Sequence, residues 1–250
     1  MIQGIETFKE FFQDYKKDYV IIGGLATAMV MHDLGFVFRA TKDIDLVVIS
    51  TDNEDFLKRI LHFIDNAKYK TKQRTNNDTK HNLFRFCDSV DKTYPEQLEL
   101  FARHQENSII TTNQHIIPIE TPESYDYLSA ILLDTDYYNL LTQHTTDIDG
   151  LHVATAEVLI PLKIHAHLNL MDGKHNYDGK HLKDIIRLST LLDGEEKVKL
   201  TGTPNSDFEE FLPIFEQLEE DRIKNILKSN HLMGLTKQDL LDLLKSTYKD

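Results

Sequence analysis

The sequence predicts an α/β (α+β) protein in which a small mixed β-sheet domain, residues 1–122, precedes a helical domain, residues 123–250. Two observations predict this fold class. In the first half of the chain, short apolar runs rich in β-branched residues alternate with segments of helical periodicity. After Pro122 almost every apolar segment has helical spacing, and strands followed by a run of helices are typical of α+β proteins.

The elements of the first half follow from these patterns. Apolar residues at helical spacing predict helices at 5–12, 25–34 and 56–64, the second of which ends at Gly35. Apolar runs predict strands at 19–22 and 44–49, and further short strands at 83–87, 97–101 and 115–119.

In the second half, helical spacing predicts helices at 125–141, 154–170, 178–192, 208–218 and 237–248. Only His152-Val153 indicates a strand in this region. The stretch 194–207 contains Gly202 and Pro204, and we expect it to be a loop or linker.

The composition is that of an ordinary globular protein, with 40% hydrophobic and 28% charged residues. The formal net charge of −13 argues against a broad basic face for nucleic acid and favours a small charged substrate. A cluster of basic residues between Lys68 and Lys80 leaves two interpretations open, a local basic stripe or a solvated loop or strand edge.

The cellular setting follows from cysteine use and hydropathy. The single cysteine, Cys87, excludes an internal disulfide and a metal site made only of cysteines. No segment approaches the roughly 18 apolar residues of a membrane span, and the first residues lack the pattern of a signal peptide. We therefore expect a cytoplasmic protein that has no membrane partner.

Asp43 and Asp45 carry the strongest chemical signal. Because side chains alternate along a strand, both carboxylates face one side of the predicted strand, opposite Ile44 and Leu46. Two such carboxylates repel each other unless a cation binds, and Mg²⁺ prefers oxygen ligands. The other Asp-x-Asp pairs, at 134–136 and 147–149, lie in or beside predicted helices or loops and lack this strand context.

Two further features accompany the aspartates. Glu99 is a charged residue within the apolar run 97–101, and it is either part of an exposed strand face or, if that strand lies beside Asp43 and Asp45, a third carboxylate of the cluster. Gly23-Gly24 ends a predicted strand and opens a helix. It is either a simple turn or a cradle of backbone N–H groups for phosphate.

These residues carry a family resemblance. The segments Val20-Ile21-Ile22-Gly23-Gly24-Leu25-Ala26 and Arg39-Ala40-Thr41-Lys42-Asp43-Ile44-Asp45-Leu46 resemble the signature of the DNA polymerase β-like nucleotidyltransferase superfamily. Within it, the chain is most similar to the minimal bacterial branch that includes AbiEii-type toxins. Residues 155–163 resemble the helix whose lysine approaches the nucleotide, and residues 181–188 resemble a later Lys-Asp helix. Arg187 departs from that branch, where an acidic residue is common.

The resemblance implies roles for named residues. It implies that Asp43, Asp45 and Glu99 are catalytic and bind Mg²⁺ or Mn²⁺, with Glu99 as third ligand or general base. The nucleotide-binding residues that it implies are Gly23, Gly24, Arg39, Thr41, Lys42, Lys163 and Lys183. The helical domain is expected to close the nucleotide cleft.

The implied activity is transfer of a nucleoside monophosphate from an NTP to an acceptor hydroxyl. The acceptor is left open between a tRNA end, a protein side chain and a small molecule. A toxin-like role would add an antitoxin protein as partner. The alternative is a non-catalytic nucleotide-binding or protein-interaction module that retains the nucleotidyltransferase fold.

Overall fold

The structure is a computed structural model. It describes residues 2–36, 38, 41–71, 85–103, 116–119, 128–172, 179–228, 232 and 234–249, with the backbone alone at 70–71, 116–119, 128–133 and 172. The predicted domain boundary at residue 122 and the residue Arg39 lie outside the described residues. So does most of the basic cluster between Lys68 and Lys80.

The described chain is a mixed α/β fold, which confirms the predicted fold class. The helices are α1 (Ile5–Phe12), α2 (Gly23–Asp33), α3 (Glu54–Ala67), α4 (Thr135–Gln143), α5 (Ala156–Asp172), α6 (Lys180–Ser189), α7 (Gly202–Glu216), α8 (Glu220–Lys228) and α9 (Lys237–Tyr248), with a short 3₁₀ segment at Gln13–Asp18. The strands are β1 (Tyr19–Ile22), β2 (Asp43–Val48), β3 (Lys70–Thr71), β4 (Arg85–Cys87), β5 (Gln97–Arg103), β6 (Ile116–Ile119), β7 (Leu128–Leu133), β8 (Thr145–Ile148) and β9 (Leu151–Ala154).

All of these strands belong to one mixed sheet. Its order is β3-β4-β5-β2-β1-β9-β8, and β7 pairs with the far end of β5 and with β6. Strand β2 lies at the centre, antiparallel to β1 and parallel to β5. The central position of β2 matters because its neighbours on both sides contribute to the candidate site.

The chain divides into two compact units, each of several segments. The first unit comprises Met1–Leu25, Ala40–Thr135 and Thr145–Val153, and it contains the sheet. The second comprises Ala26–Arg39, Asp136–His144 and Ala154–Asp250, and it contains the C-terminal helices. None of the described helices is both long enough and apolar enough to cross a membrane.

Aromatic side chains form much of the core of the first unit. Phe8 and Phe12 on α1 are fully buried against Phe63 of α3, with ring centroids 5.6 and 5.2 Å away. Tyr19 of β1 joins them from the sheet side, edge-on to Phe8 at 5.7 Å. Such edge-to-face pairs stabilise by about 0.5–1.5 kcal/mol beyond the area that they bury. This core fixes β1, and with it the adjacent β2.

In the second unit, α5 packs against α6 and α7, and α6 packs against α8 and α9. Helix α5 is apolar on nearly all sides, and Val158, Leu159, Ile160 and Ile164 are fully buried. A helix of this kind belongs in the centre of a bundle. A polar side chain on α5 must therefore find its partner inside the protein.

The predicted helix over 125–141 is wrong in its first part. Residues Leu128–Leu133 form strand β7, and the helix that follows, α4, begins only at Thr135. A short apolar run fits either a strand or a buried helix. Pairing with β5, in which Phe101 lies opposite Ile131, decides in favour of the strand.

Other differences lie around the predicted loops. Helix α7 begins at Gly202, so the predicted loop at 194–207 is wrong in its second part. Pro204 lies in the first turn of α7, where a missing N–H costs nothing. Asp149 and Gly150, both with positive φ, connect β8 to β9, a hairpin of which the sequence indicated only His152-Val153.

Candidate active site

Strand β2 places Asp43 and Asp45 on one face. Both are half-buried, whereas the alternating residues Ile44 and Leu46 are fully buried on the other side. The alternation is the one expected of a strand with one apolar face and one polar face. The two carboxylates therefore point to the same side of the sheet at its centre.

Gly23 lies directly beside Asp45. The pairing of Ile22 with Asp45 brings the end of β1, and the start of α2, against the aspartate. A Cβ at position 23 would lie 1.8 Å from Oδ2 of Asp45, and the φ of +70° at Gly23 is in the left-handed region. Glycine is the residue that meets both requirements. Gly24 follows as the second residue of α2 and is half-buried.

Glu99 lies on the other side of Asp45. In the parallel pairing of β2 with β5, Asp43 is opposite Gln97 and Asp45 is opposite Glu99. Glu99 is 8% exposed, so its charge has little access to water. The structure thus brings Gly23, Asp45 and Glu99 into one row across three neighbouring strand ends.

Arg85 on β4 is the partner of Glu99, and sequence reasoning missed it. Its Nε lies 2.8 Å from Oε1 of Glu99, and its Nη2 donates to Oε2 at 3.0 Å, a bidentate pair. Gln97 donates a further hydrogen bond to Oε1 at 2.6 Å. Burial would lower the pKa of Arg85, but the hydrogen bond and charge of Glu99, with a contribution from Asp45, raise it.

The donor set fits a hard divalent cation in part. No group of three or more His, Cys, Asp or Glu side chains gathers around one point in the part of the chain that the structure describes. Mg²⁺ is commonly held by one or two carboxylates together with phosphate oxygens and water. Asp43 and Asp45 can supply the two carboxylates. The oxygens of Glu99 point to Arg85 and Gln97 in this arrangement. Glu99 as a third ligand stays a prediction.

The residues that precede β2, Thr41 and Lys42, are at least partly exposed to solvent. Thr41 is half-buried, and Lys42 is exposed, with its Nζ 3.0 Å from Oε2 of Glu96. An exposed ion pair of this kind contributes little to stability, so Lys42 can exchange Glu96 for another anion at small cost.

The two lysines predicted to contact nucleotide differ in their surroundings. Lys163 on α5 is 5% exposed, and its Nζ lies 3.0 Å from Oδ2 of Asp184, which is fully buried on α6. Nη1 of Arg187 lies 3.5 Å from the other oxygen of Asp184. Lys163 therefore belongs to a buried charge network within the helical unit.

Lys183, in contrast, is exposed. It lines a surface pocket of about 560 Å³ together with Arg187, Arg222, Asn225 and Ile226. Helices α6 and α8 supply all five residues. Arg222 and Asn225 carried no sequence signal, because α8 was not predicted.

Comparisons with known proteins assign no family. No family model matches the chain, and no curated protein matches it either. The chain is similar to the crystal structure of JHP933 from Helicobacter pylori, with 14% sequence identity, a TM-score of 0.41, and coverage of 97% of this chain and 88% of that one. A likeness at this level assigns no activity.

Proposed function

We propose that the chain is a metal-dependent nucleotidyltransferase that transfers a nucleoside monophosphate from an NTP to an acceptor hydroxyl and releases pyrophosphate. One observation carries the proposal, the contact between the Asp45 carboxylate and Gly23 at the first turn of α2. A carboxylate that binds a cation and a helix start that binds phosphate are useful together when the ligand is a metal–phosphate complex.

Asp43 and Asp45 would hold Mg²⁺ or Mn²⁺, which when bound polarises the phosphate that is attacked and neutralises charge on the leaving group. The backbone N–H groups at the start of α2 donate hydrogen bonds to phosphate oxygens, assisted by the positive end of the helix dipole. Gly23 suits this role because a side chain at position 23 would displace Asp45, and Gly24 is the next residue of the same helix start.

Glu99 acts as third ligand or as general base for the acceptor hydroxyl. Oε1 already accepts from Arg85 and Gln97, so either role falls to Oε2, which accepts from Nη2 of Arg85 and has a second lone pair. Arg85 fixes the orientation of this buried carboxylate through its bidentate contact. We therefore assign Arg85 as a positioning residue that acts through Glu99.

Arg39, Thr41, Lys42, Lys163 and Lys183 are proposed as nucleotide contacts. Lys183 is exposed, whereas Lys163 is buried and would reach a phosphate only by leaving Asp184. The acceptor is proposed to be a tRNA end, a protein side chain or a small molecule in the cytoplasm. An antitoxin protein is the expected partner if the enzyme is toxin-like.

A second candidate function has one observation in its favour. The ion pair of Arg85 with Glu99 neutralises a carboxylate that the enzyme would use, as expected of a non-catalytic module that binds nucleotide or another protein. The two candidates differ in one measurable respect, since only the enzyme transfers label from an α-labelled NTP.

The test is incubation of the full chain with each of the four α-³²P-labelled NTPs, Mg²⁺ or Mn²⁺, and a fractionated cell extract. Relative to the extract alone, we expect the added protein to transfer α-label stably to one fraction and to add no label from γ-labelled NTP, because the γ-phosphate leaves with pyrophosphate. The double variant Asp43→Asn/Asp45→Asn should lose transfer, since it keeps the strand but removes both charges.

The chain offers a matched control in its other aspartate pair of the same unit. Asp147→Asn/Asp149→Asn also removes two charges, but those side chains are exposed and pair with His152 and Lys9. Transfer should persist in this variant. Transfer that survives Asp43→Asn/Asp45→Asn, or its absence with all four NTPs, would refute the enzymatic proposal. Nucleotide binding without transfer would favour the non-catalytic module.

A further inference from the structure

Helices α6 and α8 form a pocket that shares one residue, Lys183, with the proposed nucleotide contacts. Lys183 and Arg187 are four residues apart on α6, and Arg222 and Asn225 are three apart on α8, so each pair shares one helix face. Ile226 supplies an apolar wall, and the volume is about 560 Å³. We call this the α6–α8 pocket.

The charge of the α6–α8 pocket is unusual for this chain. Three of its five lining residues are cations, a fourth is an amide, and none is acidic, in a protein whose net charge is −13. Like charges on facing helices repel, so this grouping opposes the packing of α6 on α8. A bound anion would remove that repulsion.

Two buried ionisable groups interact with cations of the pocket, Asp184 with Arg187 and His167 with Arg222. Asp184 lies 3.5 Å from Nη1 of Arg187, but its closer partner is Lys163 at 3.0 Å. The positive field also extends inward to His167, which is 2% exposed. Burial first, and then the charge of Arg222, lowers the pKa of His167.

We propose that the α6–α8 pocket binds a ligand that carries at least two phosphate groups. Guanidinium groups bind phosphate oxygens through paired hydrogen bonds, and the lysine and amide add single donors. A volume of about 560 Å³ is in the range of small-molecule sites and exceeds the needs of one phosphate. Two sources have this chemistry, a free nucleoside triphosphate and the backbone of a nucleic-acid end.

The site can be tested apart from the proposed transfer reaction, because Lys183 is the one pocket residue that is also a proposed nucleotide contact. The probe is inorganic tripolyphosphate, titrated into the full chain by calorimetry in EDTA. Without divalent cations, the aspartates of β2 cannot contribute a metal–phosphate contact. We expect saturable binding that weakens about tenfold for each cation removed, in Lys183→Met and in Arg222→Met.

Two control variants separate this site from other effects. Lys224→Met removes an exposed cation from α8 that does not line the pocket, and it should leave tripolyphosphate binding unchanged. Asp43→Asn/Asp45→Asn should also bind normally, so that failure of the transfer reaction and failure of this site can be told apart. Urea midpoints of all variants show that each one folds.

Competition identifies the source of the phosphates. Displacement of tripolyphosphate by ATP assigns the pocket to a free nucleotide, and displacement by a 5′-phosphorylated oligonucleotide assigns it to a nucleic-acid end. Either result supports the site. The proposal is overturned if tripolyphosphate does not bind saturably, or if the double variant Lys183→Met/Arg222→Met binds it as the wild type does.

Discussion

The buried ion pair of Lys163 with Asp184 gives a prediction whose size follows from the structure. The substitution Lys163→Met removes the ammonium group and keeps most of the aliphatic stem, so it changes charge more than packing. Water cannot compensate the charge of Asp184 after this loss, because Asp184 is 0% accessible to solvent. Breaking one side of a buried pair typically costs about 3–5 kcal/mol, since an uncompensated charge is left inside.

The lower end of that range applies here. Nη1 of Arg187 stays 3.5 Å from Asp184 and offsets part of the lost charge. We expect the free energy of unfolding to fall by about 3 kcal/mol, a large share of the roughly 5–15 kcal/mol that is typical of folded proteins. With a urea m-value of about 2 kcal/mol/M, the unfolding midpoint shifts down by about 1.5 M.

Urea denaturation followed by circular dichroism measures the shift, and Lys183→Met is the matched control. Because Lys183 is exposed, Lys183→Met should change the free energy of unfolding by no more than about 0.5 kcal/mol. Lys163→Met/Asp184→Asn removes both buried charges and should recover about half of the loss. Equal shifts for Lys163→Met and Lys183→Met would refute the argument that the buried charge decides the cost.

Three further predictions concern the first unit and one buried histidine. Gly23→Ala should push the Asp45 carboxylate aside and weaken Mn²⁺ binding by at least about tenfold in an electron paramagnetic resonance titration; Gly150→Ala, with a φ of +80° but no atom within 4 Å, carries a similar backbone strain and should bind normally. Arg85→Gln should instead strengthen Mn²⁺ binding by about tenfold, because it removes a cation beside two carboxylates; unchanged or weaker binding would contradict this. The pKa of His167 is lower in the folded than in the unfolded chain. As the pH drops below about 6.5, the unfolded chain therefore binds a proton at His167 before the folded chain does, and the free energy of unfolding falls. His167→Leu should flatten the dependence of the urea midpoint between about pH 7.5 and 5.5, and an unaltered slope would contradict the assignment.

The parts of the candidate site that depend on residues close together in sequence were predictable. Alternation along a single strand is enough to place Asp43 and Asp45 on one face, and the glycine turn that precedes them is contiguous in sequence. The pair of Arg85 with Glu99 is different in kind, because it depends on the register between β4 and β5. No periodicity within either strand specifies that register, and hydrophobic patterning restricts it only to every second residue.

The two lysines show a signal that was available in the sequence. Lys163 lies between Leu162 and Ile164 in a helix that is apolar on nearly all sides, so a buried position was to be expected. Lys183 lies on the polar face of an amphipathic helix whose other face carries Leu182, Ile185 and Ile186. Comparing the hydrophobic pattern around each helix, rather than the two lysines alone, would have predicted that Lys163 is buried and Lys183 exposed.

Strand β7 was missed because one short apolar run fits either a strand or a buried helix. The run at Leu128–Leu133 carries no turn residue before Asp134, so helical periodicity appeared to continue through it. Its partner strand β5 is distant in sequence, and that pairing decided the outcome. Helix α8 has the opposite problem, because Ile223, Ile226 and Leu227 are spaced as in a helix but are surrounded by charges.

Net charge and local charge lead to different conclusions about ligands. A long polyanion interacts with charges over many ångströms of surface, so binding it requires an extended basic face. The net charge of −13 argues against such a face. A ligand with two or three phosphates samples only its immediate surroundings, since charges beyond about 8 Å are largely screened at physiological ionic strength. Within that radius lie the five pocket residues, three of which are cations, and Asp184, whose charge is also paired with Lys163. An acidic net charge is therefore compatible with the proposed site for a compact polyphosphate.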